Sequence, residues 1–304
     1  MLVLLLLGFA TVAGLVAFTV VMRWPSVDPA SPQVARRSAE AVGREIVAER
    51  GPRQFLAART NPAVATGLLL TVALGFVLVG GLALGALAYL TRSRSELVTI
   101  DSDISQWVND HSSRFVHDAL TLITQLGSTT FVIVAAIVLA IVEMRRRPSR
   151  WIIPFLLAVM VGEGVLTNVV KELLARARPT LNPTAHLLGP SFPSGHTATA
   201  AAFWAAAALL LGRGRNQRAH ALLAGGAVAI AVAVACSRVF LDVHWFSDVL
   251  GGLALGWGWF AACSIAFGGR LLRFGAPVEI AERAVGPATD PSSADAPEPD
   301  QSRV

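Results

Sequence analysis

The stretch 231–252 places ionisable residues between two apolar segments. Ser237-Arg238 ends one apolar segment, and His244 and Asp248 precede the next. Ionisable groups at a membrane boundary usually face a cavity and mark a functional site. His244 and Asp248 are four residues apart, so the carboxylate can accept a hydrogen bond from the imidazole and favour the ring as a base or nucleophile. Considered alone, a helix-start aspartate beside a chance histidine explains the spacing equally well.

A second group of basic residues precedes a proline. Lys171 and Arg178 are seven residues apart, which places them on the same face of a continuous helix, and Pro179 is predicted to end that helix. The alternative is that basic side chains at a helix end extend towards lipid headgroups, and we interpret Arg176 in that way. Arg238 adds a forked guanidinium that suits phosphate oxygens.

A third group lies at the start of a helix rich in small residues. Pro193 is followed by Ser194, Gly195 and His196. Ser194 is predicted to be the N-cap, and Gly195 lets the backbone approach a ligand closely. A helix N-terminus binds anions readily, and His196 would stand beside such an anion. Taken alone, this group is better explained by a simple helix cap.

The three groups together predict a pocket for a phosphate dianion. Lys171, Arg178 and Arg238 supply positive charge, and the helix N-terminus supplies backbone N–H groups. Two histidines can divide the work of phosphoryl transfer, one attacking phosphorus and the other giving a proton to the departing oxygen. No acidic cluster is spaced for a metal, so the cations would stabilise the transition state unaided, and we expect no cofactor.

The elements that must position these residues are membrane-spanning helices. The chain of 304 residues is 54% hydrophobic with a mean hydropathy of +0.59, too apolar for one water-soluble core. A bilayer is crossed by roughly 20 apolar residues. We predict an all-α polytopic bundle whose seven spans cover 2–22, 63–90, 130–144, 151–170, 197–211, 221–236 and 248–267. The third span is short, and we expect it to begin nearer residue 120.

The distribution of arginine predicts the orientation. Segments 23–62, 144–150 and 212–220 hold seven, four and three arginines. Counted over alternate sides, every arginine-rich loop falls on one side, which the positive-inside rule makes cytoplasmic. The N-terminus and the loops 171–196 and 237–247 are then outside, and the C-terminus is inside. No basic patch is interleaved with aromatic residues, so nucleic acid is not an expected partner.

The order of the segments predicts the domain organisation, and the oligomeric state stays open. We divide the chain into an N-terminal transmembrane helix, a cytoplasmic polar or helical linker, a six-helix core and a disordered acidic tail, at 1–22, 23–62, 63–275 and 276–304.

Between the second and third spans the sequence predicts an amphipathic helix at the membrane surface. Ile104, Trp107 and Val108 would share its apolar face. His111 and His117 have no spacing that suits metal ligands, and we expect them to be exposed.

The three groups resemble the motifs of the type 2 phosphatidic acid phosphatase family, which comprises membrane lipid phosphate phosphatases related to vanadium haloperoxidases. The family motifs are Lys-x6-Arg-Pro, Pro-Ser-Gly-His and Ser-Arg-x5-His-x3-Asp. Every fixed position is matched in order, from Lys171 to Asp248. The resemblance covers residues 64–267, which implies a six-helix core with one extra N-terminal helix.

The resemblance also implies a role for each residue. His244 would be the nucleophile that forms a phosphohistidine, Asp248 would orient it, and His196 would protonate the leaving group and later help to activate water. The phosphate would be held by Lys171, Arg178, Ser194, Gly195 and Arg238. Metal-independent chemistry is implied as well.

We therefore expect a membrane phosphatase that removes phosphate from a lipid at the outer face. Phosphatidic acid, phosphatidylglycerol phosphate and polyprenyl phosphates or diphosphates are candidate substrates. The alternatives are a vanadate-dependent peroxidase and a non-catalytic protein that binds or transports lipid phosphates through the same anion pocket. The sequence does not distinguish among the candidate lipids.

Overall fold

The computed structural model describes residues 1–24, 96–179, 181–182 and 188–271, and these are entirely helical and irregular, without a strand. Within the described ranges, the 3-10 turn Gln125–Gly127 accompanies eight α-helices. The helices are α1 (Leu2–Arg23), α2 (Glu96–Asp110), α3 (Arg114–Thr124), α4 (Thr129–Arg146), α5 (Ile152–Leu174), α6 (Gly195–Gly212), α7 (Gln217–Phe240) and α8 (Phe246–Leu271). The predicted all-α membrane bundle is confirmed.

Four of these helices, α1, α5, α6 and α7, are long and apolar enough to cross a membrane. A fifth span results if α3 and α4 are taken together. Helix α8 covers the predicted seventh span with 26 residues. The predicted span 63–90, the linker beyond residue 24 and the tail 276–304 lie outside the described residues.

The expectation that the third span begins nearer residue 120 holds if α3 and α4 form one bent span, and α4 alone is not among the four candidate spans of the described residues. Helix α4 begins at Thr129, where the side chain of Ser128 accepts a hydrogen bond from the amide of Phe131 at 3.3 Å. The preceding segment is a separate helix, and the two axes meet at 48°. Capping at Ser128 fixes this break, because the serine side chain satisfies an N–H group that a continuous helix would have bonded internally.

Helix α6 lies at the centre of the bundle and packs against α4, α5, α7 and α8. It is 61% buried, against 11 to 39% for the other candidate spans. Small residues cover most of its surface, so its neighbours approach closely. Phe155 of α5 and Phe203 and Leu210 of α6 fill the surrounding core.

Helices α6 and α8 run parallel and begin at the same level. A Cβ atom at Gly252 would meet the carbonyl oxygen of Ser194, and one at Gly256 would meet that of Ala198. The two contacts are thus four residues apart on both helices, and both helices advance in the same direction. This close pairing of small residues sets the N-termini of α6 and α8 side by side, with their positive dipole ends directed to one place.

Helix α1 packs along α7 in the opposite direction. Gly14 and Gly225 are in close contact, since a Cβ on either would meet the backbone of the other. Leu2 and Leu6 join an apolar cluster with Val243 in the loop that precedes α8. The N-terminus of α1 therefore lies at the end of the bundle that holds the predicted site.

The arginine-rich turns lie together at the opposite end, which we call the arginine end. Arg146 at the end of α4 and Arg213 after α6 both contact Glu143. Gln217 at the start of α7 donates to the carbonyl of Met22 near the end of α1. This grouping agrees with the alternation counted from the sequence, and which compartment each end faces stays a prediction.

Helix α2 packs across the site end, with a buried face different from the predicted one. Asp101, Ser105 and Val108 are buried, and Ile104 is partly buried. Trp107, predicted on the apolar face, is 38% exposed and stacks on His111. The helix is rotated because its polar residues find partners in the bundle. His111 and His117 are exposed, as expected.

Candidate functional site

The helix that carries Lys171 ends before it reaches Arg178. Ala175 adopts a left-handed conformation with φ 44° and ends α5 at Leu174. The two basic residues therefore do not share a continuous helix, and that expectation is wrong. They meet by another route, because the segment 175–179 is hydrogen-bonded to residues 189–191. Lys171 Nζ donates to the carbonyl of Pro190 at 2.6 Å, and Arg178 Nη2 donates to the same oxygen at 3.3 Å.

Arg178 is buried and bonded to backbone carbonyls. Its Nε donates to Gly189 at 2.8 Å, and its Nη1 donates to Val243 at 2.6 Å. Among the described residues it has no carboxylate within salt-bridge distance. Burial lowers the pKa of the Arg178 guanidinium, and the nearby charge of Asp248 partly opposes this. The guanidinium is thus oriented by neutral acceptors, and its charge remains available.

His244 and Asp248 form the predicted pair. His244 lies in the loop between α7 and α8, and its Nδ1 is 3.4 Å from Asp248 Oδ2. The same oxygen accepts a hydrogen bond from the amide of Trp245 at 3.0 Å. This bond caps the first turn of α8 in the manner of the acidic residue of a capping box. Asp248 therefore caps its helix and also orients His244.

The hydrogen bonds of His244 define its reactive nitrogen. Nη1 of Arg178 lies 3.1 Å from His244 Nε2. Since guanidinium only donates, Nε2 is the acceptor and Nδ1 carries the proton that faces Asp248. Burial lowers the pKa of His244 from 6.5 to about 3, against the opposing influence of Asp248. The ring is therefore neutral, with the lone pair of Nε2 directed away from Asp248.

The N-terminus of α6 is hydrogen-bonded to the backbone of Asp248. Ser194 is the N-cap residue as predicted, yet its side chain accepts no backbone N–H. The hydroxyl of Thr197 donates to Ser194 Oγ at 3.0 Å, and the Ser194 amide donates to the carbonyl of Asp248 at 3.0 Å. No side chain among the described residues caps the first turn, which leaves its N–H groups for an anion.

Arg238 completes the set of cations. It is 8% exposed, and its Nη1 donates to the hydroxyl of Thr124 at 3.3 Å. Within the described residues its Nε has no hydrogen-bond partner. A buried donor without a partner is costly, so a bound ligand would explain its position.

All the residues predicted for the site lie close together. Lys171, Arg178 and Arg238 are all close enough for their charges to act on the His196 ring. Gly195 adjoins His196 at the start of α6, beside Thr167 of α5. In the described part of the chain, no group of three or more His, Cys, Asp or Glu side chains is placed to hold a metal.

Two residues of the site were missed in the sequence. Arg176, interpreted as facing lipid, instead bridges Asp248 at 2.6 Å and Asp101 at 2.8 Å. A signal was present, because Asp101 shares the buried face of α2 with Ser105 and Val108 at helical spacing. An aspartate on the packed face of a surface helix needs a cationic partner. Identifying that partner required the fold.

Comparison with known proteins agrees with this arrangement. The model of the PAP2 superfamily matches residues 151–271, which include every predicted site residue. Phosphatidylglycerophosphatase B of Bacillus subtilis is 33% identical over 147 residues, which cover 47% of this chain and 70% of that protein. A lipid A 1-phosphatase of Rhizobium etli is 37% identical over 121 residues, or 36% of this chain and 48% of that protein.

A solved structure is similar as well. The crystal structure of a transmembrane PAP2 type phosphatidylglycerolphosphate phosphatase from Bacillus subtilis aligns with a TM-score of 0.55 at 29% identity. The alignment covers 60% of this chain and 92% of that one. The chain belongs to the PAP2 superfamily, the family that its three motifs resemble.

Proposed function

We propose that this protein is an integral membrane phosphatase that hydrolyses a lipid phosphate monoester or diphosphate through a phosphohistidine intermediate on His244. The observation that carries the proposal is a set of three cations, two buried and one partly buried, without carboxylate partners among the described residues. Lys171, Arg178 and Arg238 are held by carbonyl and hydroxyl oxygens, and none of these offsets a full positive charge. A phosphate dianion would supply the missing charge.

The first chemical step uses the neutral imidazole. Nη1 of Arg178 donates to His244 Nε2. A bound phosphate draws the guanidinium to its own oxygens and frees the nitrogen to attack phosphorus. The P–N bond forms while the bond between phosphorus and the lipid oxygen breaks. His196, which the bound dianion keeps protonated, gives its proton to that oxygen, and the cations stabilise the charge on the transferring phosphoryl group.

The second step reverses these roles with water. His196, now neutral, takes a proton from a water molecule that attacks phosphorus. The P–N bond breaks, its electron pair returns to Nε2 of His244, and inorganic phosphate leaves. In both steps Asp248 holds the ring and stabilises the positive charge that develops on it.

The position of the site suits a lipid substrate. It lies at one end of a bundle whose outer face carries exposed apolar side chains, among them Leu4 and Phe9 of α1 and Val161 of α5. A headgroup can reach this end while its acyl chains stay in hydrocarbon. The relatives are named for phosphatidylglycerophosphate and lipid A 1-phosphate, which favours a phosphorylated membrane lipid. The arginine distribution favours the extracytoplasmic face.

Phosphate release from purified protein in detergent micelles tests the proposal. We expect turnover of one or more of phosphatidic acid, phosphatidylglycerol phosphate and a polyprenyl diphosphate in the presence of EDTA, with inhibition by vanadate. His244→Ala should lower kcat by about 10⁴-fold or more, since the nucleophile itself is removed. His117, whose side chain is 63% exposed, gives a matched control, and His117→Ala should keep full activity.

The outcomes separate the proposal from its alternatives. Saturable binding of these lipids without phosphate release would favour the non-catalytic binding or transport protein. Full activity in His244→Ala would contradict the proposed nucleophile. Strict dependence on Mg²⁺ would contradict a mechanism in which the protein's own cations stabilise the transition state.

A further inference from the structure

Arg176 connects the site to a helix outside the three motifs. Its Nη1 donates to Asp248 Oδ1 at 2.6 Å and to Ser247 Oγ at 2.7 Å. Its Nη2 donates to Asp101 Oδ2 of α2 at 2.8 Å. The side chain is 13% exposed, and the two carboxylates are 1% and 0% exposed. One guanidinium therefore joins two buried acids from different helices.

Asp101 is fixed by more than this ion pair. Its Oδ1 accepts a hydrogen bond from the amide of Ser247 at 2.9 Å, and its Oδ2 accepts one from the Ser247 hydroxyl at 2.5 Å. One turn further along α2, the hydroxyl of Ser105 donates to Asp242 at 2.5 Å. Helix α2 is thus bonded to both sides of His244, at residue 242 and at residue 247.

The two oxygens of Asp248 have different partners. Oδ1 faces Arg176, and Oδ2 faces the ring of His244 and the amide of Trp245. The bond to Arg176 stops the carboxylate from rotating, so the orientation of Oδ2 towards the imidazole is retained. The positive charge of Arg176 also reduces the attraction of Asp248 for a proton on the ring. The ring is then positioned without being made a stronger base.

We propose that Arg176 is a positioning residue that holds Asp248 against His244 and limits the proton affinity of His244, and that Asp101 of α2 holds Arg176 in place. This inference rests on the proposed function, since it assigns these residues a part in the same reaction. Helix α2 would then belong to the catalytic unit although it lies outside the motifs and outside the matched residues 151–271.

Steady-state kinetics in detergent micelles, on a lipid of the three-substrate panel that the wild type hydrolyses, tests the inference. Arg176→Gln should lower kcat by about 10- to 100-fold, the loss typical of residues that orient a reacting group, with little change in KM. Asp101→Asn should lower kcat by about 3- to 10-fold, as expected for one weakened hydrogen-bonded contact. Because the two residues act through one contact, the double variant should be no worse than Arg176→Gln alone.

Arg146 gives a matched control at the arginine end. It is also an arginine bonded to a fully buried acid, with 2.5 Å between Arg146 Nη1 and Glu143 Oε1. Arg146→Gln should lower the melting temperature while kcat and KM stay at wild-type values. A loss of kcat in Arg176→Gln that exceeds this control at comparable melting temperature is a loss of function and not of folding.

The pH dependence gives a readout that a purely structural role would not change. In Arg176→Gln the uncompensated Asp248 should move the acidic limb of kcat/KM to higher pH by about one unit, since His244 would bind a proton more readily. Arg176→Lys keeps the charge, so it should restore the limb while recovering only part of kcat. Asp101→Asn should leave the pH of the acidic limb unchanged or lower it. The charged groups that act on His244 are Asp248, Arg178 and Arg238. Lys171 lies near these three groups, and Arg176 and Asp101 act on His244 through Asp248.

The results distinguish the failure of this inference from failure of the proposed function. An inactive wild-type protein would contradict the proposed function. An active wild type whose kcat and pH profile are unchanged in Arg176→Gln would overturn the inference alone. A fall in kcat without any shift of the acidic limb, equal in Arg176→Lys and Arg176→Gln, would assign Arg176 a structural role only.

Discussion

The two ends of the bundle differ in how their buried charges are paired. At the arginine end, Glu143 is fully buried and is paired with Arg146 at 2.5 Å and with Arg213 at 3.6 Å. At the site end, Asp248 is equally buried and is paired with Arg176 at 2.6 Å. The site end also holds Lys171, Arg178 and Arg238, which have no acid in salt-bridge contact among the described residues.

This difference separates structural charge from functional charge. The charge of a buried acid that is paired with two arginines is compensated within the protein. Cations that are oriented by carbonyl oxygens have their charge compensated only when an anion binds, as expected of a site for phosphate. The ion pair between Arg176 and Asp248 lies at the site end, but its charges compensate each other, as those around Glu143 do. This fits a positioning role for Arg176.

Replacing one cation at each end should give the largest contrast. Arg238→Met should lower kcat/KM by about 10²- to 10³-fold, since one donor to the transferring phosphoryl group is lost. Its melting temperature should not fall, because an unpaired buried charge is replaced by apolar volume. Arg146→Met should keep wild-type kcat/KM and lose about 1–3 kcal/mol of stability, because Glu143 loses a partner.

Orthophosphate sharpens the same contrast. At about 100 times its dissociation constant it should stabilise the wild type by about 2.7 kcal/mol. It should stabilise Arg146→Met equally and Arg238→Met much less, as measured by thermal unfolding in detergent. Equal stabilisation of all three proteins would contradict the assignment of Arg238 to the anion pocket.

The packing that brings the helix N-termini together should also be sensitive to substitution. Gly256→Leu would force a side chain against the carbonyl of Ala198, at a cost of about 1–3 kcal/mol of stability, and would separate α6 from α8. A Cβ atom added at Gly258, on the same helix, would meet no neighbouring element within 4 Å among the described residues, and Gly258→Leu is the control. Phosphatase activity and melting temperature should both fall in the first variant and be retained in the second.

An acid sensitivity that originates at the site end should also distinguish the two ends. The folded pKa of His244 is lowered from 6.5 to about 3, so between these pH values the unfolded chain binds the proton and the folded chain does not. Stability therefore falls as pH decreases through this window, by at most about 1.4 kcal/mol per pH unit for one proton. The raised pKa of Asp242 acts in the opposite direction.

Comparing the wild type with His244→Asn isolates the contribution of the histidine. The variant should show a shallower decline in melting temperature between pH 6.5 and 4 than the wild type. Parallel curves for the two proteins would mean that His244 is not buried in its neutral form.

Several features could be predicted from the sequence because they depend on local spacing. The four-residue interval between His244 and Asp248 predicted their contact, and Ser194 predicted the start of α6. The apolar runs gave the helical class of the fold, and the arginine counts gave the grouping of the turns at one end. These follow from helix periodicity and from the length of chain that crosses a bilayer.

The features that were missed depend on tertiary contacts. The end of α5 at Ala175, a residue with high helix propensity, is imposed by the bonds of the following segment to Ser191 and Ser247. The partners of Arg176 lie 75 and 72 residues away in the chain. The parallel pairing of α6 and α8 rests on two glycines whose spacing is common in membrane helices. None of these has a local signal strong enough to decide it.

The most direct test of the central claim is to trap the phosphorylated protein. The wild type is mixed with phosphatidic acid in detergent micelles, quenched in denaturant at alkaline pH within one turnover, digested and analysed by mass spectrometry. The account predicts an acid-labile, base-stable phosphate on His244, absent from His244→Ala. Phosphate on another residue, or steady turnover with no phosphorylated peptide at any quench time, would contradict it.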